Sequence, residues 1–90
     1  MKLTRGERDR TVILLRCAAD VAVTGDHLLS PSRHTAPRLG FGKRECLIAT
    51  QATIYVACAA GGNPEASKDR DDYIAVVLEA ALCIEEGSWP

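Results

Sequence analysis

Aromatic side chains are almost missing from this 90-residue chain, which holds only Phe41, Tyr55, Tyr73 and Trp89. A core must then be assembled from Leu, Ile, Val and many Ala, whose small side chains let helices approach closely. Such a core is thin, and self-association is one way to add buried area. Long apolar runs are missing too. Met1 to Arg10 is basic and Val12 to Leu15 apolar, as in a secretory leader, but Arg16 and Asp20 interrupt the run too early. No stretch approaches the roughly 20 apolar residues that a membrane span needs. These absences predict a cytoplasmic protein, in which an even cysteine count is no sign of a disulfide framework.

Recognisable catalytic sets are absent as well. Cys17, Cys46, Cys58 and Cys83 are separated by 29, 12 and 25 positions, whereas structural zinc sites draw their ligands in close pairs. With His27 and His34 in a different segment, the cysteines read as buried inert thiols and no metal is expected. Gly40-Phe41-Gly42-Lys43 precedes a helix, but the spacing of a phosphate-binding loop fails and Arg44 stands where a magnesium-binding hydroxyl belongs. Asp69, Asp71 and Asp72 do not match a calcium loop, and early acids on a helix are explained by its dipole. No serine triad and no paired carboxylates emerge. The expectation is a protein that is not an enzyme and carries no cofactor.

What is present is the balance of an ordinary globular domain, with 47% apolar and 26% charged residues. Ninety residues allow one compact core and no second domain. The net charge of −1 conceals an asymmetry. Residues 1–45 carry nine Lys/Arg against five Asp/Glu, a net +4, and residues 46–90 carry two against seven, a net −5.

Three helices are predicted, at about 5–23, 43–60 and 64–86. Thr4 followed by Glu7 forms a capping box ahead of the first, whose polar sector of Arg16, Asp20 and Thr24 is narrow. The second segment is nearly all apolar between Lys43 and Ala60, which reads as a central buried helix ended by Gly61-Gly62. Asn63, Pro64 and Glu65 supply a cap, a first-turn proline and a first-turn acid for the third. Its apolar line runs through Tyr73, Ile74, Val77, Ala80, Ala81 and Ile84, opposite Asp72, Glu79 and Glu86, and Gly87 stops it.

The connection from Thr24 to Gly42, rich in Pro, Gly, Ser and His, is unusually long for a compact domain, and such loops are often functional. Arg33, His34, Arg38, Lys43 and Arg44 make it basic, and Phe41 is available to stack. These six residues are candidate partner-binding positions, together with Asp72 and Glu79 on the acidic third helix and with Trp89, placed to fold back or to anchor a partner.

The C-terminal stretch Leu78-Glu-Ala-Ala-Leu-Cys-Ile-Glu-Glu-Gly-Ser-Trp-Pro90 resembles the endings of small accessory proteins of tailed bacteriophages and prophages. The resemblance covers only that segment and carries over no site residues. It implies a bacterial cytoplasmic setting and a small protein that binds and modulates or inhibits a host protein. The sequence thus predicts an all-α, three-helix domain with a long basic loop between helices 1 and 2, acting as a protein-binding module and pairing with a protein partner or with itself as a homodimer. The alternative is a nucleic-acid-binding regulator using residues 33–44, with binding that weakens steeply with salt.

Overall fold

The computed structural model describes residues 3–23, 40–59 and 70–88, and every regular element among them is a helix. Helix α1 spans Arg5–Val21, α2 spans Lys43–Ala59 and α3 spans Arg70–Glu86. Among the described residues the expected all-α architecture of three helices is therefore observed. The Asn63 cap, the Gly61-Gly62 stop, residues 64–69 of the third helix and residues 24–39 of the loop lie outside the described residues. No described helix is long and apolar enough to cross a membrane.

Each helix end has a local cause. At the start of α1 the Glu7 amide donates to Thr4 Oγ1 at 3.1 Å and the Thr4 amide donates to Glu7 Oε1 at 2.9 Å, the reciprocal capping box that the sequence predicts. At the end of α3 the Gly87 amide donates to the Ile84 carbonyl and the Ser88 amide to the Cys83 carbonyl. This paired closure needs a left-handed residue at its first position, and Gly87 supplies it with φ of 75°. Gly40, with φ of 73°, turns the chain into α2.

The core is narrow and largely aliphatic. Leu14, Leu15, Ile48, Val77 and Ile84 are fully buried around Tyr73, which is 1% exposed and the one buried aromatic among the described residues. Ala18, Ala19, Ala22, Ala49, Ala52, Ala80 and Ala81 line the remaining contacts. Thr11 and Thr53 enter this interior because their hydroxyls donate to the carbonyls one turn earlier, of Glu7 at 2.6 Å and Ala49 at 2.7 Å. The α1–α3 contact is the most extensive of the three.

Two expectations are corrected here. Helix α2 is not the buried centre of the domain: it buries Ile48, Ala49, Ala52, Thr53 and Ala57, but leaves Leu47 48%, Ile54 46% and Tyr55 55% exposed. Its alanine-rich side suffices to fill the thin core, so its larger apolar residues are left facing outward. The cysteines are not all buried thiols either. Cys17, Cys46 and Cys83 are half-buried and Cys58 is exposed, because each sits at the margin or on the outside of its helix rather than in the contact stripe.

Candidate functional site

The beginnings of α1 and α2 lie side by side, joined by two crossed ion pairs. Arg10 Nε donates to Glu45 Oε1 at 2.7 Å, and Arg44 Nε donates to Glu7 Oε2. The end of α1 therefore lies roughly 25 Å from the start of α2, one helix length away.

Glu45 holds the centre of this junction. Its carboxylate accepts from Arg10 and also from the backbone of Gly42 and of Glu45 itself, folding back over the positive end of α2. A Cβ at residue 42 would stand 2.8 Å from Glu45 Oε2, so the glycine leaves room for this folded position. The Arg10 guanidinium keeps the Glu45 carboxyl below its ordinary pKa, with the backbone donors adding to the effect. Glu7 is lowered likewise, first by the Thr4 amide and then by Arg44. Next to Glu45, burial and the nearby negative charge raise the Cys46 thiol, which disfavours the nucleophilic thiolate.

Several residues singled out from the sequence meet here, but in roles internal to the fold. Arg44 is bound to Glu7. Phe41 is half-buried against the core, and the Arg10 guanidinium lies 5.2 Å from its ring centroid. One face of the Phe41 ring is thus already covered by a cation. Lys43 is exposed beside them. On α3, Asp72 and Glu79 are exposed as expected, and Glu79 Oε1 lies 3.9 Å from Cys83 Sγ. Arg33, His34, Arg38 and Trp89 lie outside the described residues. No group of three or more His, Cys, Asp or Glu side chains converges on a metal-sized site among the described residues.

A shallow cleft between α1 and α3 is lined by Arg8, Asp9, Val12, Ile13, Arg16 and Glu85. Arg16 and Glu85 close one side with a 2.6 Å ion pair, both side chains about half exposed. Charges of both signs balance across it, and it contains no nucleophile paired with a base.

The feature that the sequence reading missed is the outer face of α2. Leu47, Gln51, Ile54 and Cys58 are all exposed and follow the spacing i, i+4, i+7, i+11. At about 100° per residue they fall in one stripe, with Tyr55 on its flank, on the side away from Ile48, Ala49 and Ala52. After Glu45 no residue of α2 is charged. The other helices differ. Ile13 on α1 stands among Asp9, Arg16 and Asp20, and Leu78 and Leu82 on α3 stand among Asp71, Glu79, Glu85 and Glu86. The α2 periodicity was present in the sequence, but a helix apolar all round offers no polar sector to show which stripe is inside.

No protein-family model matches the chain, and no curated protein or solved structure is similar to it.

Proposed function

We propose that this chain is a non-enzymatic protein-binding module of the bacterial cytoplasm, and that the outer face of α2 is its contact surface. The observation that carries this reading is the alignment of Leu47 and Ile54, each nearly half exposed, on a helix face without charge. Single exposed apolar residues are ordinary on any protein. A helical stripe of them is the form in which a helix docks on a partner by its i, i+4 and i+7 positions. The resemblance of residues 78–90 to phage and prophage accessory proteins favours a host protein as the partner, with modulation or inhibition as the outcome.

The nucleic-acid reading has less support. Arg44 is engaged with Glu7, and Arg10 already lies over the Phe41 ring. That reading leans on Lys43 and on Arg33, His34 and Arg38.

A photo-crosslinking amino acid placed at position 54, and separately at position 79, tests the proposal. Position 54 should give one discrete adduct with a protein and position 79 none. Equal labelling at both positions, or none at 54, would refute it. For the rival reading, oligonucleotide binding that is lost after neutralising Arg33, Arg38, Lys43 and Arg44 is the expected signature.

A further inference from the structure

We infer that the cleft between α1 and α3 binds a small aliphatic monocarboxylate, whose carboxylate accepts from the Arg8 guanidinium while its alkyl chain lies on Val12 and Ile13. This site is separate from the outer face of α2 and does not rest on the protein-binding reading of that face.

The starting point is a bond that the fold leaves unmade. Arg8 Nε is buried, yet its N–H meets no acceptor among the described residues. A buried donor without a partner is destabilising, and more so when it is charged. Arg10, Arg16 and Arg44 each reach a carboxylate of the chain. Arg8 forms no such pair among the described residues.

An acceptor has room to arrive. Arg8 lines the cleft with Asp9, Val12, Ile13, Arg16 and Glu85, around a space of about 220 Å³. An apolar cavity of roughly 150 Å³ holds a benzene molecule. The cleft therefore suits a ligand of a few carbons rather than a nucleotide.

Charge selects the head of that ligand. A guanidinium has donors and no acceptor, so it takes an anion. Glu85 is committed to Arg16 at 2.6 Å, and that pair closes the cleft without leaving a free charge. Asp9 is exposed on the rim, where its carboxylate opposes a second negative charge. A singly charged carboxylate thus fits better than a phosphate dianion. The apolar wall selects the tail. Arg8 and Arg16 stand about two turns apart, roughly 12 Å along the helix axis, with Val12 and Ile13 between them. Ile13 is 52% exposed, and an alkyl chain laid on it removes apolar surface from water.

NMR of the full chain, with butyrate added at constant ionic strength, tests this. The Arg8 Nε–H signal and the Val12 and Ile13 methyl signals should move along one saturating curve in the millimolar range, while the Nε–H of exposed Arg5 stays in place. Acetate and phosphate should each bind more weakly than butyrate, and butylammonium should not bind. Arg8→Met keeps an apolar stem and deletes the guanidinium. It should abolish the methyl shifts and melt no lower than the parent, because it breaks no bond of the fold. Ile13→Ser, at an exposed position, should erase the advantage of butyrate over acetate. Methyl signals that ignore butyrate, or that respond equally in Arg8→Met, overturn the inference. So does a response shared equally by Arg5, or phosphate binding tighter than butyrate. A lower melting temperature for Arg8→Met would give the guanidinium a partner inside the chain and overturn it as well.

Discussion

Helices α1 and α2 have the same length and begin at the same end of the molecule, yet they show opposite outer faces. The outside of α1 is Arg5, Asp9, Arg16 and Asp20 around a lone Ile13, and water solvates it well. The outside of α2 is Leu47, Gln51, Ile54 and Cys58. Both helices contribute to the same core, so the difference does not arise from folding the monomer. An apolar stripe that adds nothing to the interior is a surface suited to association, and this contrast makes α2 the stronger functional candidate.

The sharpest way to break the comparison is to remove one leucine from each helix. Leu15 is fully buried in α1, and Leu15→Ala should cost about 2–5 kcal/mol in urea unfolding. Leu47→Ala should cost under ~1 kcal/mol at a protein concentration too low for self-association, since its side chain is nearly half in water already. Equal losses would mean that α2 packs on something within the chain and would end its case as a binding face.

The junction between the two helices comes next in size. Thr4→Ala removes the hydroxyl that accepts from the Glu7 amide and should lower stability by about 1 kcal/mol in the same assay. It should leave cross-linking at position 54 unchanged, which separates the brace from the surface.

Acid should loosen the same junction. Glu7 and Glu45 both have pKa values below their ordinary 4.5 in the folded chain. Their contribution to stability is therefore present above that value and is lost as pH falls from it through the lowered folded values. A Glu7→Gln, Glu45→Gln double variant followed by thermal unfolding should show a flatter dependence over that window than the parent chain does.

The smallest expected effect belongs to the outside of α1. Arg16→Ala removes a pair with Glu85 in which both partners are about half exposed, and it should cost no more than ~1 kcal/mol. Added salt should erase the difference between variant and parent. Association through the uncharged α2 face should keep its strength under the same salt, so a dimer or complex that falls apart with salt would count against that face.

Much of the fold was legible because its signals are local. Thr4 and Glu7 stand three residues apart and close a capping box on themselves, and α3 ends at Gly87, whose amide bonds the Ile84 carbonyl while the Ser88 amide bonds that of Cys83. The apolar line from Tyr73 to Ile84 was readable because α3 has an acidic side to contrast with it. The site was far less legible. Arg10 and Glu45 are 35 residues apart, and Arg44 and Glu7 are 37 apart. No periodicity links residues so distant, so Arg44 read as a free cation and Phe41 as a free ring.

The sequence by itself determined that this chain forms helices, where α1 and α2 begin and where α3 ends, since caps, glycine stops and helical periodicity act over a few residues. Only the tertiary structure decided which side of α2 faces the core. Ala49, Ala52 and Ala57 pack more closely than Leu47, Ile54 and Tyr55 allow, and that preference exists only once neighbouring helices are present to be approached.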